Sequence, residues 1–410
     1  MDVKERLVVR TVPVADPVDL LARLPRPSAL AWVRQGEGIV GWGEAARLVV
    51  PGAEDRFDLA GRWLRDLFAA AHVDDPVRLP GSGPVAFGGF GFDPKSSDSV
   101  LIVPRAVLGR RAGRAWLTSI GPAGDASDQL TLLQPPTDPS RVSWSDGTLS
   151  APQWERAVAT AVAQIRAGRL AKTVLARDLR AQAAAPIDIR VLLSRLAERF
   201  PACYTFAVAG LVGATPELLV RRSGGRIESL VLAGTTARGT SPADDAARGT
   251  ALFGSAKDRE EHAYAAEMVK DALAPLCTEL TVPAEPELLS LANLMHLATP
   301  VRGRLDREWS VLDVVAALHP TPAVCGTPTE VAMDLIRELE VMDRGRYAGP
   351  VGWVDARGDG EWGIALRCAE IDGPRARLFA GCGIVADSDP AAELAEAQTK
   401  FRVMQYALDG

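Results

Sequence analysis

The 410 residues are 47% hydrophobic and 24% charged, with a formal net charge of −6. This balance is typical of a soluble globular protein with a large core, in one or two domains. Nucleic-acid binding is not favoured, because basic residues collect on no stretch of the chain. No apolar run reaches the ~18 residues of a membrane-spanning helix, and the N-terminus lacks a signal-peptide core. Five cysteines without paired spacing indicate reduced thiols, so we expect a cytoplasmic protein.

The first 150 residues are predicted to form part of a sheet scaffold. Alternating apolar runs and helical periodicity predict strands at 29–33, 39–42, 100–103 and 114–120 and a helix over 55–71. The 121–150 segment is rich in proline, aspartate and serine and is predicted to be an exposed connection. We therefore divide the chain at this segment, into 1–150 and 151–410, and expect the two parts to form one continuous structural unit.

Three positions after residue 150 are candidates for chemistry. Lys172 opens an apolar strand and is either an exposed rim residue or, if buried beside a cation, a proton acceptor. Glu217 follows a proline between two apolar strands and is either a turn residue or a buried acid with a raised pKa. His296 lies in an apolar stretch, where a histidine is more often a core residue than a catalyst. Residues 232–239 are small or carry hydroxyls and are predicted to form a loop.

Two predicted helices, 255–276 and 388–407, each place two carboxylates on one face at a spacing of three residues. These carboxylates belong to Asp258, Glu261, Glu393 and Glu396, and Lys400 shares the face of the second pair. Such faces are often solvated surface. Together they could instead hold a hard divalent cation, and Mg²⁺ fits oxygen donors best. A zinc site or a di-iron site would need Cys/His clusters or Glu-x-x-His motifs that the sequence lacks.

Two features near the C-terminus concern anion binding. Arg367 is expected to be buried in a strand over 364–368, where a guanidinium needs an anion and can bind a carboxylate with two parallel bonds. Residues 381–386 match a dinucleotide-binding pattern only superficially, because a strand continues through them and the helix begins after Asp389. The backbone N–H groups at these glycines could still bind an anionic ligand.

A series of motifs in the second part of the chain resembles the chorismate-utilising enzymes, and most closely the isochorismate synthases. The motifs are KTVLAR, GATPELLV, LAGTTARG, SAKDREEH, HLATP, HPTPAVCG, YAGPVGW, GEWGIALRCA, GCGIVADSDP and a final ExxExxxK. The resemblance spans about 154–404, and the first 150 residues match only loosely. It implies an α+β fold of two mixed subdomains, with large antiparallel sheets face to face, helices outside and the active site in the cleft between.

The resemblance also implies roles for individual residues. Lys172 corresponds to the base that activates water, and Glu217 to the acid that protonates the departing hydroxyl. Glu261 and Glu396 correspond to ligands of Mg²⁺, with Asp258 and Glu393 assisting. The implied substrate-binding residues are Arg367, Lys400, Gly383, His296, Thr235 and Ala298.

The implied activity is a Mg²⁺-dependent, reversible isomerisation of chorismate, by water addition at ring carbon 2 and loss of the carbon 4 hydroxyl. The alternatives are a salicylate synthase, an anthranilate or aminodeoxychorismate synthase, and a non-catalytic binding protein on the same fold. Family members that use ammonia generally lack the lysine found here at position 172. Isochorismate feeds menaquinone and siderophore biosynthesis alike, and chorismate is the expected partner of a monomeric chain.

Overall fold

The computed structural model describes residues 6–25, 28–121, 135–139, 141–290 and 294–410, without the side chains of Lys257, Glu261 and Leu294. Strands and helices are numbered here in chain order. The strands are β1 (Val8–Val14), β2 (Ala29–Arg34), β3 (Glu37–Trp42), β4 (Ala46–Val50), β5 (His72–Asp74), β6 (Val85–Gly89), β7 (Ser99–Val103), β8 (Ala106–Arg111), β9 (Arg114–Gly121), β10 (Ser143–Asp146), β11 (Lys172–Gln182), β12 (Tyr204–Val208), β13 (Leu211–Thr215), β14 (Leu218–Ser223), β15 (Arg226–Ala237), β16 (Cys277–Thr281), β17 (Glu287–Ser290), β18 (Leu294–Leu305), β19 (Gly326–Thr327), β20 (Pro350–Asp355), β21 (Gly360–Ile364), β22 (Cys368–Asp372) and β23 (Arg375–Ile384). The helices are α1 (Arg56–Ala69), α2 (Ala151–Arg166), α3 (Ile189–Arg199), α4 (Pro242–Gly254), α5 (Ala256–Leu273), α6 (Val311–Leu318), α7 (Thr329–Glu340) and α8 (Pro390–Asp409).

Within the described residues, the strands form two large sheets. Sheet A has 13 strands in the order β10-β11-β23-β22-β13-β12-β2-β3-β8-β9-β1-β5, with β19 beside β11. Sheet B has 10 strands in the order β16-β18-β15-β14-β21-β20-β6-β7-β4, with β17 beside β18. The pairs are antiparallel apart from β1 and β5, which run parallel. Each sheet joins strands from before and after residue 150, and the division at 121–150 stays a prediction.

The two sheets pack face to face over an aromatic core. Trp32 of sheet A is buried and donates from Nε1 to the Glu361 carboxylate of sheet B at 2.9 Å. The ring of Trp32 also lies against Gly363, where a Cβ atom would come within 3.0 Å of it. In an antiparallel sheet with one covered face, apolar and polar residues alternate along each strand, and this alternation predicted the strands.

Helices cover the outside of both sheets. α8 packs on β23 of sheet A beside α2 and α3, whereas α5 packs on β15 of sheet B. α8 begins as predicted: Pro390 occupies its first turn and the Asp389 side chain accepts from the Ala392 N–H at 2.9 Å. In the described part of the chain, no helix combines the length and apolarity needed to cross a bilayer.

Most predicted elements are confirmed within a few residues, but three predictions are wrong. The predicted connection over 121–150 contains strand β10, which pairs with β11, and its residues 122–134 and 140 lie outside the described part of the chain. Residues 232–239 were predicted to be a loop; instead β15 continues to Ala237, because pairing with β18 outweighs the weak strand preference of its small residues. The strand predicted over 364–368 ends at Ile364. Arg367 lies in the bend that follows, with a left-handed φ of 50°.

Candidate active site

A cavity of about 220 Å³ lies between the two sheets and is lined by strands of both. It brings together most of the residues that the sequence singled out: Lys172, Glu217, Thr235, Asp258, His296, Arg367, Gly383, Glu396 and Lys400. Glu393 lies beside this cavity rather than on its wall. Ala298 is buried in β18, opposite Leu232, and does not line the cavity. The Glu261 side chain lies outside the described residues, although its backbone belongs to α5.

Lys172 lies at the start of β11, where its side chain extends over the neighbouring strand β23. A Cβ atom on Gly383 would come within 3.0 Å of Lys172 Cε and 3.4 Å of Nζ. The bare backbone at Gly383 therefore leaves the space that the lysine head occupies. Pairing of Lys172 with Thr327 of β19 fixes the same end of β11 from the other side.

Glu217 lies between β13 and β14, on the wall of the cavity. Its backbone is held at both ends, because its N–H donates to Thr215 Oγ1 at 3.2 Å and its carbonyl accepts from Ile364 N at 3.1 Å. Burial raises the pKa of the carboxyl from 4.5 to about 7, although the charges of Arg367 and Lys172 act in the opposite direction. A substantial fraction of Glu217 is therefore protonated at neutral pH, as a general acid requires.

His296 is held in a neutral state at the back of the cavity. A β-bulge at Gly234 shifts the register of β15 and places Thr235 opposite His296, with Oγ1 2.9 Å from Nδ1. Burial, followed by the charges of Arg367 and Lys400, lowers the pKa of the imidazole to about 4. Nε2 is buried and has no hydrogen-bond partner among the described atoms. A neutral imidazole with one unused nitrogen is suited to a hydrogen bond with a ligand.

Four basic side chains line the cavity and favour an anionic ligand: Lys172, Arg344, Arg367 and Lys400. Lys400 Nζ lies 2.7 Å from the Glu396 carboxylate and donates to the Gly381 carbonyl at 2.7 Å. The Arg367 guanidinium makes no hydrogen bond or ion pair with the side chains that the structure describes, although its charge acts on Glu217 and Glu396. An arginine that reaches a cavity without a carboxylate partner is available to bind one from a ligand.

The carboxylates of α8 form a compact group with a thiol. Ligand atoms of Cys382, Glu393 and Glu396 all lie within 4.8 Å of one another. Burial raises the pKa of Glu393. At Glu396 burial acts in the same direction, but Lys400, Arg367 and the Cys382 thiol together outweigh it and lower the pKa of that carboxyl. Burial also raises the pKa of Cys382 to about 12, so its thiol stays protonated and donates to the Glu393 carbonyl at 3.3 Å.

The donor set fits a hard divalent cation. Glu396 reaches the cavity from α8 and Asp258 reaches it from the first turn of α5, so carboxylates arrive from both sheet layers. Carboxylate oxygens are the ligands that Mg²⁺ prefers, and the protonated thiol beside them is not. Glu261 follows Asp258 by three residues in α5 and so belongs to the same face of that helix.

Sequence reasoning assigned no role to two cavity residues, Arg344 and Tyr347. Tyr347 stacks on Phe379 with ring centroids 5.0 Å apart, and its hydroxyl lies against Gly381. Arg344 is buried, pairs with Glu340 at 2.5 Å and donates to the Val174 carbonyl at 2.7 Å. Tyr347 is the first residue of the YAGPVGW motif, and that motif could have indicated a role for it. Nothing in the sequence around Arg344 indicates a hydrogen-bond partner 170 residues away.

A family model described as "Chorismate binding enzyme" matches residues 4–409. The chain belongs to the chorismate-binding enzymes. Among members of this family, it is 37% identical over 408 residues to the salicylate biosynthesis isochorismate synthase of Pseudomonas aeruginosa, covering 92% of this chain and 84% of that protein. It is 36% identical over 377 residues to isochorismate synthase MenF of Bacillus subtilis, covering 85% and 80%.

The fold of this chorismate-binding enzyme also matches a solved structure. The menaquinone-specific isochorismate synthase MenF from Escherichia coli superposes with a TM-score of 0.82 at 25% identity, covering 98% of this chain and 94% of that one. The predicted α+β class, with two large antiparallel sheets and helices outside, is thereby confirmed.

Proposed function

We propose that this chorismate-binding enzyme is an isochorismate synthase, which converts chorismate reversibly into isochorismate. The observation that carries the proposal is that Lys172 and Glu217 line one cavity, with the pKa of Glu217 raised to about 7. One side chain can accept a proton there while another donates one. Relatives named isochorismate synthase, at 36% and 37% identity over most of the chain, support the same activity.

Recognition of the substrate follows from the charges in the cavity. Chorismate carries two carboxylates, and of the four basic side chains in the cavity we assign Arg367 and Lys400 to bind them. We assign one substrate carboxylate to the Arg367 guanidinium, which has no carboxylate partner among the described residues. Backbone N–H groups near Gly383 and the unused Nε2 of His296 are placed to hydrogen-bond the remaining polar groups of the ring.

The two catalytic roles divide between Lys172 and Glu217. Lys172 accepts a proton from the water whose oxygen bonds to ring carbon 2, and the double bonds shift. Glu217 gives its proton to the hydroxyl leaving carbon 4, so that a water molecule departs. Each such group typically contributes ~10²–10⁴-fold to a rate. In the reverse direction the same two groups exchange their roles.

We infer that the enzyme uses Mg²⁺, held by Glu396 and Glu261 with Asp258 and Glu393 assisting. Three of these carboxylates lie in or beside the cavity, and Glu261 joins them on the resemblance and on its place in α5. When bound, the ion would neutralise negative charge on the substrate, which an acidic protein needs in addition to its own cations.

Our proposal for the cellular setting is a cytoplasmic, monomeric enzyme of menaquinone or siderophore biosynthesis. Its five cysteines are free thiols in the structure, in keeping with a reducing compartment. One structural relative is described as menaquinone-specific, and one sequence relative as belonging to salicylate biosynthesis.

Chromatography of the products tests the proposal directly. Purified enzyme is incubated with chorismate and Mg²⁺, with and without EDTA, and we expect isochorismate, of unchanged mass, only without EDTA. Salicylate and pyruvate as main products would instead identify a salicylate synthase, and anthranilate formed with ammonia would identify that synthase. Unaltered chorismate in every sample would refute enzymatic turnover.

A further inference from the structure

A second, smaller cavity lies directly behind Glu217, where strands β14 and β15 of sheet B separate. The two strands pair at Arg221–Glu228, Arg222–Ile227 and Ser223–Arg226. Beyond Arg221 no further rung joins them, although both strands continue through residues that the structure describes. Extending the register would set Glu217 opposite Leu232, and both residues line the active-site cavity, so the gap adjoins that cavity. We call the gap, between 218–220 and 229–232, the β14–β15 wedge.

The wedge is partly open, and its lining contains polar as well as apolar groups. Side chains from 218–220 and 229–232 are mostly buried, and α5 closes the gap with Ala265 and Met268. No β14–β15 ladder pair crosses the gap, so backbone N–H and C=O groups that face it lack a ladder partner on the opposite strand. Buried backbone groups in proteins are paired with protein or with ordered water, so these groups favour water in the wedge.

A hydroxyl group completes the polar lining. Thr321 is 6% exposed, lines the wedge cavity, and its Oγ1 has no hydrogen-bond partner among the described atoms. The cavity measures about 20 Å³, which is room for about one water molecule. It shares Glu217, Leu232 and Ala323 with the active-site cavity, so Glu217 separates the two.

We propose that the wedge holds an ordered water that hydrogen-bonds Glu217 and Thr321 Oγ1 and returns a proton to Glu217 while the active-site cavity is still occupied. This inference rests on the proposed function. Each forward turnover leaves Lys172 with one proton more and Glu217 with one fewer, and both must be restored from solvent. While substrate or product covers Glu217 from the active-site side, the wedge water contacts the carboxylate from behind. The water donates its proton to the carboxylate and regains one from solvent, so protons balance.

Thr321 is therefore a positioning residue, and its hydroxyl can be removed with little change in volume. In Thr321→Val we expect kcat above pH 7 to fall about tenfold, less than the ~10²-fold or more lost when a general acid is removed. KM for chorismate should stay within about twofold, because Thr321 does not line the substrate cavity. The solvent deuterium isotope effect on kcat should rise. Thr321→Ser, which keeps the hydroxyl, should restore both values.

Two measurements keep the inference falsifiable. The inference is overturned if a folded Thr321→Val enzyme has the wild-type kcat, pH profile and isotope effect. Isochorismate formation by that variant would still support the proposed function. A high-resolution crystal structure of the wild-type enzyme provides the second measurement, and a water bonded to both Glu217 and Thr321 is expected. A dry wedge in that structure would overturn the inference even if the valine variant does not fold. A wild-type enzyme that forms no isochorismate would refute the proposed function instead.

Discussion

Replacing Glu217 with glutamine should slow turnover strongly and stabilise the fold at pH 8, and both effects follow from the raised pKa of one carboxyl. Glutamine keeps the shape but has no acidic proton, so we expect kcat for isochorismate formation to fall by ~10²–10⁴-fold. The rise in the pKa of Glu217 from 4.5 to about 7 also opposes folding above that range. At about 1.4 kcal/mol per pKa unit this corresponds to at most about 3.5 kcal/mol, reduced by any water in the cavity.

The sign of the stability effect sets the pH window. Below pH 4.5 both the folded and the unfolded chain carry the proton, and the carboxyl contributes no penalty. As the pH rises towards 7 the unfolded chain releases its proton while the folded chain keeps it, so wild-type stability falls and that of Glu217→Gln does not. Thermal unfolding at pH 4.5 and pH 8 should therefore show equal midpoints at the lower pH and a more stable variant at the higher.

A matched control is available in Glu370, a partly buried carboxyl away from the active-site cavity. Burial raises its pKa as well. Glu370→Gln should keep full activity. That result would show that the loss of turnover in Glu217→Gln does not come merely from removing a carboxyl with a raised pKa. The reasoning is refuted if Glu217→Gln retains wild-type kcat, or if its stability relative to wild type does not change between pH 4.5 and pH 8.

Three further predictions concern neighbouring residues. Lys172→Ala should lose ~10²–10⁴-fold in kcat yet bind chorismate in the presence of Mg²⁺, as titration calorimetry would show; retained turnover would refute its role as base. Arg344→Met should lower the free energy of unfolding by about 3–5 kcal/mol, because it leaves the buried Glu340 carboxylate unpaired. The exposed Arg375→Met serves as its control and should leave the unfolding midpoint unchanged. Thr235→Val removes the hydroxyl at His296 Nδ1 and should raise KM about fivefold, the equivalent of about 1 kcal/mol, whereas Thr235→Ser should not.

The sequence predicted best those features that lie within one element. The shared face of Glu393, Glu396 and Lys400 follows from helical spacing alone, and α8 begins where its cap and proline predicted. From the sequence, Glu217 is either a turn residue or a general acid, and Lys172 is either an exposed rim residue or a proton acceptor. Only the packing of the two sheets, which puts both residues on one cavity, favours the chemical role.

Features that depend on contacts between distant elements could not be read from spacing. Arg344 binds the Val174 and Val324 carbonyls, and any residue type could supply such an acceptor. The Thr321 hydroxyl has no hydrogen-bond partner among the described atoms and lines the gap between β14 and β15. No sequence pattern predicts where two paired strands separate. The prediction of a loop over 232–239 was wrong because pairing with β18 stabilises a strand there, and local propensity does not report that pairing.

A crystal structure with chorismate and Mg²⁺, obtained with Glu217→Gln to prevent turnover, would test the central claim most directly. We expect the ring to lie between Lys172 and residue 217, with one carboxylate on the Arg367 guanidinium. A ring bound elsewhere, or one that presents carbons 2 and 4 to neither Lys172 nor residue 217, would contradict the assignment.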